Sequence, residues 1–343
     1  MRYSYAAGAI LDHYPHLKPA GVVQRLRDHT YVSVSRRYLY FQVPKVATTA
    51  MKTMLHEAEN SPPMKFFATN EWITRRDKFI HDRTNVPLPS LADLDDARQK
   101  EVLESPDFLR MTIVRNPYDR LVSAWRGNVR LCEPDSAHIY FAIRGKLPDL
   151  GKKSLISLEE FVDYVGQECD VSTCNGHWRR QTDHHFFKAM NFSHVGKVEC
   201  LPETLQRFQQ HLGAGAPMRV NSRNVSRSGS VALTEALAAK IHSLYRADFE
   251  TFAYDKNEWA TSQDNSERSQ KNSMVPEEIF DDEIVERNVI LYHLYQERDR
   301  LRSRTLFGVC RLLYRKFQDR LSVPLLNAEQ AAFKWSHNKR IVQ

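Results

Sequence analysis

Two short segments of this chain place cations and hydroxyls where an anionic ligand can be gripped. The first reads Val43-Pro-Lys-Val-Ala-Thr-Thr-Ala-Met-Lys52. It joins an apolar strand to a helix start, where backbone N–H groups and the positive end of the helix dipole favour phosphate or sulfate. Lys45 adds a point charge, and Thr48 and Thr49 add hydroxyl donors in the first helical turn. This is not a Walker A loop, since it has no glycines and no Gly-Lys-Ser/Thr ending. The second segment reads Ile113-Val-Arg-Asn-Pro-Tyr-Asp-Arg-Leu-Val-Ser-Ala-Trp-Arg126. Arg115 leaves a strand end, the edge at which open parallel sheets bind ligands. Ser123 lies two turns into the following helix, on the side of Asp119 and Arg126. An arginine and a serine converging from one strand-turn-helix suit a terminal phosphate, because guanidinium forks to its oxygens.

Other clusters point to less. Cys169-x4-Cys174-x2-His177 has the residue types of a zinc site, but its spacing is uncommon and no second pair follows, so no metal is expected. The five cysteines (Cys132, Cys169, Cys174, Cys200, Cys310) are an odd number in a chain too large to need disulfides. Free thiols in a reducing compartment are the simpler reading, although Cys169 and Cys174 are close enough for a local bridge.

The elements that must position these residues follow from patterning. Residues 38–43 form a near-continuous apolar run that suits a parallel strand buried on both faces, ended by Pro44. A helix follows from Thr48, with Met51, Met54, Leu55 and Ala58 on one face. The same grammar recurs at 110–130: strand 111–114, a turn, then a helix capped by Asn116 with Pro117 in its first position and carrying Leu121, Val122 and Trp125. A weaker third copy runs from Phe192 to Val198 and into a helix near Glu203. Ser157-x-x-Glu160 is a capping box ahead of Leu158, Phe161, Val162 and Val165. Residues 233–250 read as a further helix, 256–275 as a polar linker or loop, and 277–317 as helical again, with a basic cluster from Arg298 to Arg304. Strands alternating with helices predict an α/β fold with a mostly parallel central sheet.

At 343 residues, 42% hydrophobic and 27% charged, the composition is that of a globular protein able to bury a large core. No apolar run reaches the roughly 18 residues of a membrane span. Tyr5–Leu11 lacks the marks of a signal peptide, so a chain starting at Met1 is expected to stay in the cytoplasm. The net charge of +7 favours anionic partners. A kinase should show a Gly-rich loop and a metal-holding Asp, and a nucleic-acid binder a recognisable module. Neither is present, so no nucleic-acid partner is expected.

Together the two loops resemble the 5′-phosphosulfate and 3′-phosphate loops of sulfotransferases that use 3′-phosphoadenosine 5′-phosphosulfate (PAPS). Val114 to Arg126 is especially similar to Golgi carbohydrate sulfotransferases of the chondroitin and HNK-1 type. The likeness continues at His177-Trp-Arg-Arg-Gln181, at His194-Val-Gly-Lys-Val-Glu199, and at Tyr245 to Asp255. The resemblance implies a P-loop-NTPase-like sheet flanked by helices, with Lys45, Val46, Ala47, Thr48 and Thr49 holding the 5′-phosphosulfate. Arg115 and Ser123 would hold the 3′-phosphate, with Arg227 of a late basic loop as a secondary candidate. Ala47 departs from the glycine many relatives carry, and its methyl is expected to narrow the approach to phosphate. The implied reaction is in-line sulfuryl transfer to a carbohydrate hydroxyl, with a non-carbohydrate small-molecule hydroxyl as the alternative acceptor, and a basic surface would suit an anionic one. A general base is then required. His81, between the loops, His177, in the His-Trp segment, and Glu57 are its candidates, while His184 and His185 are assigned structural roles. The expected organisation is a sulfotransferase domain over 1–255, with its nucleotide-binding core at 38–255, a linker at 256–275, and a C-terminal helical extension over 276–343. That extension would pack on the core or form an oligomer contact. If a membrane anchor preceded this sequence, the Golgi lumen would replace the cytoplasm as the expected location.

Overall fold

A computed structural model describes residues 3–59, 88–130, 132, 134–145, 155–168, 170–213, 231, 233–259 and 277–300. Among them, four strands form one sheet in the order β1 (Thr30–Ser33), β2 (Tyr38–Phe41), β3 (Leu109–Val114) and β4 (His194–Lys197). β1 runs antiparallel to β2, while β2, β3 and β4 are mutually parallel. The sheet is thus mostly parallel, as alternating strands and helices predicted, with a hairpin edge strand that the sequence reading did not include.

β2 shows why its sequence carries no polar relief. All four residues are fully buried. Leu39 and Phe41 pack into a cluster with Ala6, Ala7 and Ile10 of α1 (Tyr5–His13), Val22 and Leu26 of α2 (Pro19–His29), and Val102 and Leu103 farther along. Tyr38 and Tyr40 point the other way, into a cluster with Met51, Met54 and Leu55 of α3 (Thr48–Ala58) and with Leu205 and Phe208. Period-two alternation with both sets apolar requires cover on both faces. The first 29 residues, read from sequence only as a short apolar stretch, supply part of that cover as two helices.

The remaining helices are α4 (Asp96–Glu104), α5 (Pro117–Ala124), α6 (Ala137–Arg144), α7 (Leu158–Glu168), the single turn α8 (Gln181–His184), α9 (Leu201–Leu212), α10 (Glu235–Phe252) and α11 (Glu277–Arg300). The start signals behave as read. Asn116 caps α5 by accepting from the Tyr118 N–H at 2.9 Å, with Pro117 in first position. The Ser157–Glu160 box closes reciprocally, Ser157 N–H to Glu160 at 2.9 Å and Glu160 N–H to Ser157 Oγ at 3.2 Å. A third core joins α5, α6, α7 and α10, and Val285 and Val289 of α11 are buried in it.

Boundaries differ where tertiary pairing intervenes. The strand read over 38–43 ends at Phe41, although the Gln42 N–H still reaches the His29 carbonyl opposite it in the β1 register at 2.7 Å. The helix expected to run through Trp125 widens there into a π turn, Trp125–Val129, closed by the Arg130 N–H on the Trp125 carbonyl at 2.8 Å. Such turns are rare and tend to mark functional positions.

Candidate functional site

The two cation-bearing loops leave adjacent parallel strands at the same edge. Phe41 is opposite Thr112 across β2 and β3, so continuing the register sets Val43 level with Val114 and Pro44 beside Arg115. Neighbouring strands lie about 4.8 Å apart, which makes one crevice of the two loops.

The first loop is tightly curled. Lys45 and Ala47 both have left-handed backbone, φ +70° and +57°. Left-handed residues in a short turn swing successive N–H groups to one side, the geometry of an anion-binding nest, here at the start of an 11-residue helix. Ala47 therefore matters through its conformation rather than only its width, since glycine adopts this region without the steric cost of a methyl. The Thr48 hydroxyl donates to the Val43 carbonyl at 2.8 Å and closes the loop, so its proton is committed to the backbone. Thr49 is half-buried in the same turn.

The side chain of Lys45 reaches the second unit. A Cβ built on Gly127 would lie 2.7 Å from Lys45 Nζ, so the ammonium occupies the space that only glycine leaves open in the π turn. Ser123, just before this turn, and Arg126, within it, are both half-buried. Asp119 is near both Arg115 and Arg126. Burial raises its carboxyl pKa, helped by Glu199, while the two arginines pull the other way.

Residues absent from the sequence assignments hold this arrangement. Arg120, 2% exposed, donates from Nε to the Pro44 carbonyl at 3.1 Å, from Nη1 to Arg179 at 2.7 Å and from Nη2 to Gly176 at 2.8 Å. One guanidinium thus ties the first loop to the His-Trp segment. A signal for it existed: Arg120 lies beside Leu121 and one turn from Ala124 on the apolar face of α5, where a charge must be matched by polar partners. Gln181, fully buried, accepts from the Arg115 N–H at 2.9 Å and donates to the Arg115 carbonyl at 2.9 Å. Asp248 of α10 accepts from the Gln181 and Thr182 N–H groups at 2.8 and 3.0 Å. The Tyr245 hydroxyl donates to the Trp178 carbonyl at 2.5 Å. The Asn116 N–H donates to Glu199 at 2.8 Å, and the Tyr254 hydroxyl to the same carboxylate at 3.0 Å. The scattered sequence segments around residues 177–181, 194–199 and 245–255 therefore converge on the strand end that carries Arg115.

His177 follows Gly176, whose carbonyl takes the Arg120 guanidinium. Its N–H donates to Asn175 Oδ1 at 3.0 Å, and its Nδ1 is 2.9 Å from the same oxygen. Because the backbone donor identifies that atom as an acceptor, Nδ1 carries the ring proton and Nε2 is the basic nitrogen of the neutral imidazole. His184 and His185 are fully buried, and burial lowers both pKa values, that of His185 to about 3. They stay neutral core residues. His81, Arg227, Cys169 and the basic cluster's side chains lie outside the described residues, as does the side chain of Glu57.

The sulfotransferase family matches residues 28–255 of the chain. Carbohydrate sulfotransferase 10 of Danio rerio is 24% identical over 263 residues, covering 67% of this chain and 67% of that protein. Its counterpart in Homo sapiens is 28% identical over 161 residues, covering 45% of this chain and 42% of that protein. No solved structure matches the chain significantly. Among the described residues no helix is long and apolar enough to cross a membrane.

Proposed function

The chain belongs to the sulfotransferase family, and on that premise we propose that it transfers a sulfuryl group from PAPS to a carbohydrate hydroxyl. The observation that carries this reading is the shared edge of β2 and β3, where the curled Lys45 loop and the braced Arg115 strand end open side by side. Two concentrations of positive charge, fed from adjacent strands, fit a nucleotide with phosphate groups at both its 5′ and 3′ positions. The arrangement of a nest after one parallel strand and an arginine after the next is P-loop-like in principle, though without the glycine-rich sequence.

Roles follow from the chemistry of the residues. PAPS supplies an activated sulfuryl group whose transfer, like phosphoryl transfer, depends chiefly on positioning and charge stabilisation. The loop N–H groups and Thr49 bind the 5′-phosphosulfate. Lys45 neutralises the charge that develops on the departing phosphate oxygen. Arg115 and Ser123 hold the 3′-phosphate. His177, with Nε2 as its basic nitrogen, takes the proton from the attacking hydroxyl. The positive surface suits an acceptor that already carries acidic groups.

The direct test is to incubate the full chain with PAPS labelled in the sulfuryl group and a panel of neutral and acidic glycans. Label on a glycan is the expected result. Label found only on non-carbohydrate hydroxyls would replace the acceptor, and failure to bind adenosine 3′,5′-bisphosphate in calorimetry would overturn the donor. Replacing His177 and His81 by alanine in turn distinguishes the base, with the larger fall in kcat expected for His177.

A further inference from the structure

The carboxyl end of β3 is braced by a side chain where its ladder ends. Pairing with β4 stops at Val114 opposite Lys197. At the next residue both backbone groups of Arg115 pair with the Gln181 amide, each bond 2.9 Å long. A primary amide presents an acceptor and a donor side by side, so Gln181 imitates one residue of a neighbouring strand. It cannot drift, because it is fully buried and its own N–H is fixed by Asp248, also fully buried, at 2.8 Å. Thr182 locks the same carboxylate through its N–H at 3.0 Å and its hydroxyl at 2.9 Å. Asp248 belongs to α10, so a helix residue 67 positions beyond Gln181 stabilises the backbone angles of Arg115 through α8.

We infer that Gln181 is a positioning residue, whose clasp on the Arg115 backbone aims the guanidinium at the 3′-phosphate and so sets preference for a 3′-phosphorylated nucleotide. The inference rests on the reading of Arg115 given above. A clasp used only for folding would serve every nucleotide alike. A clasp that aims one side chain affects only the ligand group which that side chain meets.

Gln181→Met keeps the length and bulk of the side chain but removes both hydrogen-bonding groups. Calorimetry on the full chain, with adenosine 3′,5′-bisphosphate and with adenosine 5′-monophosphate, reads the difference. We expect bisphosphate affinity to fall about tenfold and monophosphate affinity to change by less than about twofold, a size typical of coupling within one hydrogen-bond network. In an Arg115→Ala background the same substitution should cost nothing further. Equal losses for both nucleotides, or a full additional loss in that background, would overturn the role. Asp248→Asn keeps acceptor capacity at α8 with weaker hold, and a selective loss of bisphosphate affinity in it gives the same answer should Gln181→Met not fold. If Arg115→Ala itself leaves the bisphosphate preference intact, the 3′-phosphate assignment of Arg115 fails first, and the purpose of the clasp fails with it.

Discussion

The loops at the ends of β2 and β3 serve one crevice but are built in opposite ways. The loop after β2 stores strain, with two left-handed non-glycine residues, Lys45 and Ala47. It is tied down by the Thr48 hydroxyl within and by Arg120 from α5. Left-handed backbone costs a non-glycine residue about 1–2 kcal/mol. The strand end after β3 has ordinary backbone and is braced from several elements at once: Gln181 on Arg115, Glu199 on Asn116, and Glu258 on the Asn116 side chain. On the function proposed above, the contrast teaches that a site for a changing charge and a site for a constant one need different supports. In the proposed reaction, negative charge grows at the 5′ end as the sulfuryl bond breaks, and the curled backbone N–H groups with Lys45 would meet it there. In the same proposal the 3′-phosphate takes no part in bond breaking, and an Arg115 with a braced backbone would suit it.

The largest effect that sharpens this contrast is expected at the cations themselves. Lys45→Ala should lower kcat by about a thousandfold, as loss of a group that stabilises transition-state charge does. Arg115→Ala should instead act mainly through donor affinity, with circular dichroism of both variants unchanged. Similar kcat losses with unchanged donor binding in both would erase the distinction between the loops.

Next in size is the strut between them. Arg120→Met leaves three partly buried carbonyls without their guanidinium donors and should cost about 3 kcal/mol in a denaturant titration. Arg120→Lys should recover little, because an ammonium lacks the planar fork that reaches all three. A midpoint close to that of the unaltered chain would show that the loops hold their places independently.

Acid should loosen the same region more gradually. His184 and His185 are fully buried behind the loops, and burial with the nearby Arg120 lowers both pKa values, that of His185 to about 3. Unfolded imidazoles take up protons near pH 6.5, whereas the folded ones resist until far lower. Stability is therefore complete above that pH and is lost as pH falls below it, by about 1.4 kcal/mol per unit for each histidine. Thermal melts between pH 7.5 and 5.5 read this directly, and a flat profile would mean that these rings are not kept neutral by the fold.

The smallest effect concerns the strain. Ala47→Gly should relieve the left-handed position and stabilise the chain by about 1 kcal/mol, or about 2–4 °C in melting temperature for a domain of this size. A lower melting temperature would show that the curl of the first loop is not under strain.

Much of this was legible in the sequence because it is local. Capping of α5 by Asn116 and Pro117 depends on a few consecutive residues, as does the Ser157–Glu160 box. The apolar run at β2 announces cover on two faces, though not which segments supply it, and helices α1 and α2 were missed because Tyr5–Leu11 is apolar almost throughout, without a helical stripe, and α2 buries only Val22 and Leu26. The π turn at Trp125 was illegible because α and π turns share a hydrophobic pattern, as was the approach of Lys45 to Gly127 within it.

What the sequence determined alone was the chemistry on offer: a lysine after one buried strand, an arginine after the next, hydroxyls at helix starts and a histidine segment. Only the tertiary structure decided that Arg120 bridges the first loop to the His177 segment, and that Gln181 and Asp248 brace Arg115. These bonds link positions 56 to 76 residues apart. Such pairings carry no periodic signature, since a buried polar side chain takes whichever backbone partner folding brings to it, and the need to satisfy it arises only once water is gone.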